Sequence, residues 1–188
     1  MKLKVVVIGY GTQNYTCKDT YSPSPAGNGA VADLYDVSCI ASSDTIGQLP
    51  QSILHNPSVI HKKKLQQIGS HYFYPDSTTP VFKVYGGKKK GLFVGQRVDG
   101  VAAPTNADAG LPPNAFGAVD WLKLGIKEGI KTPKGKPFKS KGYKVVYRVE
   151  TAGGKAPPTC EGKPAHFTIP YAALYSECSL SQIRHLGY

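Results

Sequence analysis

Apolar residues in this chain come in short blocks that alternate with polar residues or run as β-branched stretches, and each block is stopped by Gly, Pro, Asn or Asp. That pattern gives strands and leaves little room for helices. Eight segments carry it: Lys4 to Cys17, Ala30 to Val37, Ile68 to Tyr74, Val81 to Tyr85, Leu92 to Val101, Ala118 to Ile126, Tyr143 to Thr151 and His166 to Leu174. The expected class is all-β, a sandwich or partly closed barrel of about eight strands with long loops and at most short helices. Helices are expected only at Thr45 to Leu54, which contains Pro50, and at Ser179 to Leu186, where Ser179 can cap. No internal repeat is visible, and 188 residues form one domain spanning 1–188. Turn chemistry marks three loops: Lys18 to Gly29, Ala102 to Asn114, and the lysine-rich Lys127 to Lys141.

The opening KLKVVVIGYGTQN imitates a dinucleotide-binding start, a buried strand followed by Gly9-x-Gly11. Such a site needs a third glycine and a helix whose N-terminus faces the pyrophosphate. Asn14 stands at the third position, and Pro23 and Pro25 interrupt the segment where that helix would lie. An NAD-dependent dehydrogenase is excluded, and the two glycines read as a bulge or a close approach of strands. No cofactor is implied. No metal site is expected either, because His55, His61, His71, His166 and His185 lack any ligand spacing.

Four cysteines, Cys17, Cys39, Cys160 and Cys178, lie outside any Cys-x-x-Cys arrangement and read as two disulfides. Cys17 pairs with Cys39, closing the Ser/Pro/Gly loop, or with Cys160, tying the first strand to the region after the seventh. Either bridge implies an oxidising compartment and therefore export. The N-terminus reads as a strand with no cleavage-site pattern, so the leader of a secreted protein is expected upstream of this chain. No apolar run reaches membrane-spanning length.

The formal charge is +11, from 23 Lys and Arg against 12 Asp and Glu. The cations cluster at Lys62 to Lys64, at Lys88 to Lys90 and in the loop Lys127 to Lys141, and only Arg97, Arg148 and Arg184 are arginines. Specific nucleic-acid readers lean on arginine and on recognisable modules, and none is present. Lysine-rich turns fit attraction to an acidic surface such as an acidic polysaccharide.

Six blocks together resemble a known family: GTQNYTC (Gly11 to Cys17), LYDVS (Leu34 to Ser38), GSHYFYPDSTTPVF (Gly69 to Phe82), GAVDWLKL (Gly117 to Leu124), YRVETAGGKAPPTC (Tyr147 to Cys160) and IPYAALY (Ile169 to Tyr175). Their order and spacing resemble the fungal secreted proteins of a domain-of-unknown-function family with bacterial relatives, whose members often carry the label "malate dehydrogenase". The resemblance implies an exported, β-rich protein without an established activity. The chain departs from the pattern at Tyr175 to Cys178 (YSEC), which leaves the place of Cys178 open.

Polar residues embedded in these strands are the candidate site. His71, Asp120 and Arg148 can converge at one end of the fold, as an Asp-oriented base beside a carboxylate-binding guanidinium. Gln13, Tyr72 and Trp121 are candidate ligand contacts. These features suggest a secreted binding protein for an acidic glycan, cell wall or host surface. A small secreted hydrolase using His71 and Asp120, and a purely structural secreted protein, stand as alternatives; an enzyme is the less favoured class. A glycosylation sequon covers Asn14 to Thr16, in a strand expected to be buried.

Overall fold

The structure, a computed structural model, describes residues 2–19, 23–85 and 89–179. Eight strands follow chain order around one closed barrel: β1 (Lys2–Thr16), β2 (Ala26–Asp36), β3 (Gln67–Phe73), β4 (Pro80–Val84), β5 (Gly91–Val101), β6 (Trp121–Ile126), β7 (Val145–Gly153) and β8 (His166–Ser179). Every neighbouring pair is antiparallel, and β8 returns to β1 in a ladder from Lys2↔Ser179 to Thr16↔His166. The ring of strands is closed, so the sheet has no free edge strand among the described residues. The expected strands are all present. Two boundaries move most: β2 starts at Ala26, inside the segment expected to be a loop as far as Gly29, and β8 runs on past Leu174 to Ser179.

The β-branched run of β1 has a direct cause. Val5 and Val7 point into the barrel, where they join Leu34, Phe82, Phe93, Val146 and Tyr175. Val6 and Ile8 point outward and are also buried, beneath α1 (Leu49–His55) and α2 (Ser58–Lys62). Both faces of the strand are therefore apolar, as in a buried parallel strand, and the alternation expected of a half-exposed strand disappears. In α1, Leu49, Pro50, Ile53 and Leu54 are buried, a spacing that puts them on one face. Pro50 falls in the first turn, where its missing N–H costs nothing, so the proline starts this helix rather than breaking it. The expected helix over Ser179 to Leu186 lies outside the described residues, apart from Ser179, which ends β8.

Gly9 and Gly11 are close-approach positions. A Cβ on Gly9 would lie 2.6 Å from the Tyr175 ring, and one on Gly11 would lie 2.0 Å from the Val31 carbonyl oxygen. The first glycine admits an aromatic ring to the barrel interior, and the second admits the β2 backbone. This is what the Gly-x-Gly pair does in place of phosphate binding.

Cys17 is bonded to Cys160, with Cα atoms 5.8 Å apart and a sequence separation of 143. The bridge sits just past the end of β1, where the Cys17 amide also donates to the Ala165 carbonyl. It fastens the end of the β1–β8 ladder. The alternative Cys17–Cys39 pairing does not form, because Cys39 sits in a short turn (Ser38–Ile40) and is free and exposed. The side chain of Cys178 lies outside the described residues. In the chain-entropy picture a loop this long gives a bridge worth about 5 kcal/mol. Replacing Cys17 and Cys160 together by Ser should lower urea-unfolding stability by roughly 3–5 kcal/mol. Cys39→Ser should leave it unchanged, and equal midpoints for all three proteins would contradict this assignment.

Candidate functional site

The lumen of the barrel and a groove on its outer wall both combine polar chemistry with space.

The lumen is filled by side chains, as an eight-stranded barrel requires. His71 on β3 is 3% exposed and stacks on Phe82, with ring centroids 4.1 Å apart. Its Nδ1 lies 2.9 Å from the Val81 carbonyl. The carbonyl can only accept, so Nδ1 donates and Nε2 keeps its lone pair. Burial pushes the imidazole pKa down to about 4; the Val81 bond opposes the shift and the Arg148 charge adds to it. His71 is therefore neutral at neutral pH.

Arg148 on β7 reaches the same space, a cavity of about 90 Å3 that His71, Arg97 and Tyr175 also line. Its Nε donates to the backbone carbonyl of Asp120 at 3.0 Å. Asp120 thus touches Arg148 through its main chain and is not part of the cavity wall. His71 is oriented by a carbonyl and not by the Asp120 carboxylate. Gln13 is half-buried, and its amide nitrogen has no hydrogen-bond partner among the described residues. Trp121 lines a shallow depression of about 220 Å3 with Val101, Tyr147 and Val149, and Leu122 and Arg148 border both this depression and the lumen cavity.

At the other end of the lumen, Glu177 is fully buried, and neither carboxylate oxygen has a hydrogen-bond partner among the described residues. The neighbouring Tyr143 hydroxyl donates to the Lys89 carbonyl. Burial outweighs the opposing influence of that hydroxyl and pushes the Glu177 pKa up to about 8, which leaves the side chain a neutral acid at neutral pH. Glu177 carries a sequence signal: it continues the i, i+2 series Tyr171, Ala173, Tyr175 that points inward.

The outer groove lies over β3, β4 and β5. It encloses about 520 Å3 and is walled by Tyr72, Tyr85 and Phe138, with Lys83, Lys90, Lys139 and Lys141 around it. All four lysines are exposed, and none forms an ion pair among the described residues. The Lys83 ammonium sits 5.6 Å from the centre of the Tyr85 ring. The Tyr85 hydroxyl is 2.6 Å from that of Ser70, which fixes the ring.

Local geometry explains how lysines distant in sequence meet here. β5 extends from Gly91, but β6 pairs with it only from Gly95 onward. The vacant edge is taken by the lysine-rich loop. The amide of Leu92 donates to the Lys141 carbonyl, the amide of Lys141 donates to the Leu92 carbonyl, and the Val94 amide donates to Ser140 Oγ. Phe138 meets Tyr74 edge-on at 5.5 Å. In the sequence, Tyr72 and the lysine loop are separate features. The register that joins them has no local signal, because it depends on β6 being shorter than β5.

Among the described residues no group of three or more His, Cys, Asp or Glu side chains is arranged to hold a metal, and no helix is long and apolar enough to cross a membrane.

The two lumen groups work in opposite directions with pH. His71, lowered from 6.5 to about 4, gives stability that is complete above pH 6.5 and lost as pH falls toward 4. Glu177, raised from 4.5 to about 8, gives stability that is complete below pH 4.5 and lost as pH rises toward 8. Above pH 6.5 only Glu177 acts, so the melting temperature should fall from pH 6.5 to 8. Glu177→Gln should flatten that decline, and an identical slope in the variant would contradict the buried acid.

A family model described as a protein of unknown function (DUF3455) matches residues 1–176. No curated protein and no solved structure matches the chain.

Proposed function

Because the chain belongs to the DUF3455 family of proteins of unknown function, its role has to be argued from its own surface, and we propose that it is an exported binding protein for acidic polysaccharide. The observation that carries this reading is the outer groove, where three aromatic side chains stand among four lysines without ion-pair partners among the described residues. Sugar rings offer an apolar C–H face that lies on aromatic rings, and uronate carboxylates or sulfates pair with ammonium groups. A net charge of +11 adds long-range attraction to a polyanion. The Cys17–Cys160 bridge supports an oxidising compartment, as a fungal-type exported protein would meet.

Nucleic acid is the competing polyanion. Its base-reading contacts favour arginine, yet the groove contains only lysine, and both described arginines line the lumen cavity instead. A compact ammonium serves a flexible, irregular array of carboxylates as a point charge, without the planar fork of a guanidinium.

The test is affinity chromatography on immobilised polygalacturonate, with neutral dextran and single-stranded oligonucleotide as comparisons. The protein should be held on polygalacturonate at low salt and released as the Debye length shrinks. Lys83→Gln combined with Lys139→Gln should weaken binding about two- to thirtyfold, since exposed ion pairs contribute a few tenths to 1 kcal/mol each. Tyr72→Ala should weaken it at high and low salt alike. Retention insensitive to salt, or stronger retention on the oligonucleotide, would reject the assignment.

A further inference from the structure

We propose that the lumen cavity between Arg97 and Arg148 binds a small carboxylate-bearing molecule with a short apolar tail, at a site separate from the outer groove.

The strand register builds the site. On β6, Leu124 is opposite Arg97 of β5, and Leu122 is opposite Arg148 of β7. The two arginines therefore rise from the strands on either side of β6, with two leucines between them. Arg97 follows Phe93 and Gly95 at alternate positions on the lumen side, and a bulge follows it before Asp99. Bulges of this kind re-aim a side chain at the rim of a barrel. Arg148 likewise follows inward-facing Val146 and precedes the irregularity after Val149.

The charge is unbalanced. Neither arginine is ion-paired among the described residues. Arg148 spends its Nε on the Asp120 carbonyl, a neutral acceptor. Its charge acts on His71, Tyr171 and Tyr175, all buried, so the field of the guanidinium extends into the lumen. A half-buried cation without a counter-ion is costly, and an anion entering the site would offset that cost through charge-assisted, bidentate hydrogen bonds.

The rest of the wall selects the ligand. Phe73, Phe82, Leu122 and Leu124 give an apolar floor, and Tyr175 adds a hydroxyl-bearing ring. A floor of this kind disfavours a fully hydrated ion such as sulfate and favours a carboxylate with a hydrocarbon end. The volume of about 90 Å3 equals the share of roughly three water molecules. A polymer cannot enter. Arg97 is exposed, so the cavity reaches solvent at its side chain.

Calorimetric titration with butyrate and with sulfate, at low ionic strength, tests the proposal. Leu122 and Leu124 methyl shifts, followed by NMR, report the location. Butyrate should bind saturably at one site, move both methyl signals and bind more tightly than sulfate. Arg97→Gln, at an exposed position that should not affect folding, should weaken butyrate binding roughly tenfold. Arg148→Lys should weaken it as well, because an ammonium cannot hold a carboxylate with two parallel bonds. The groove variant with Lys83→Gln and Lys139→Gln should bind butyrate like the unaltered protein. This keeps failure here separate from failure of the polysaccharide reading. No saturable butyrate binding, equal affinity in Arg97→Gln, or sulfate binding as tight as butyrate would each overturn it.

Discussion

The ladder between β1 and β8 is the constraint on which the rest of the structure depends. It joins the two ends of the described fold, and without it the meander would be an open sheet with two long edges. Three independent features support it. Val5 to Ile8 is buried on both faces, Gly9 and Gly11 let the neighbouring ring and backbone approach, and the Cys17–Cys160 bridge fastens the end. Taken alone, the β-branched run and the two glycines also make the N-terminus look like a dinucleotide-binding unit. Pairing explains all of them with one cause.

Closing the barrel forces a choice about what fills it. Much of the lumen is aromatic and aliphatic, but among the described residues one end admits a carboxyl without a hydrogen-bond partner and the other a guanidinium without an ion pair. At one end Glu177 is accommodated as a neutral acid. At the other Arg148 stays charged, because a guanidinium does not give up its proton, and its charge helps to keep His71 neutral beside it. The same physical penalty, charge in a poorly solvated space, is thus met by proton uptake in one case and by an open, solvent-connected cavity in the other. Cations are also segregated by type: the described arginines line the lumen, while lysines surround the outer groove.

The strands are legible in the sequence because alternation is a local property of the chain. Ile68 to Tyr74 and Leu92 to Val101, for example, lie within a residue of the observed limits of β3 and β5. Pairing across the molecule is not local. Nothing near Cys17 distinguishes Cys39 from Cys160, and only the β1–β8 ladder brings Cys160 within bonding distance. His71, Asp120 and Arg148 show the same division. Their positions in or next to strands can be read, and His71 and Arg148 do face one cavity, but Asp120 precedes β6 and meets Arg148 through its carbonyl. Arg97 carries a signal that is easily passed over: it lies two residues after Gly95 and four after Phe93, on the inward side of β5.

The lysine-rich loop shows how a structural requirement can prepare a binding surface. β6 covers only part of β5, and the remaining backbone groups of Gly91 to Val94 need partners. The loop supplies them through Ser140, Lys141 and Gly142, so its course is fixed by hydrogen bonds that serve the barrel. Lys139 and Lys141 are held beside Tyr72 and Phe138 as a consequence. Ordering a flexible loop on binding would consume part of the interaction energy, and here most of that ordering has already occurred during folding. A segment that reads in sequence as a lysine-rich loop is, in the fold, a preorganised array of cations, and the edge of β5 is the reason.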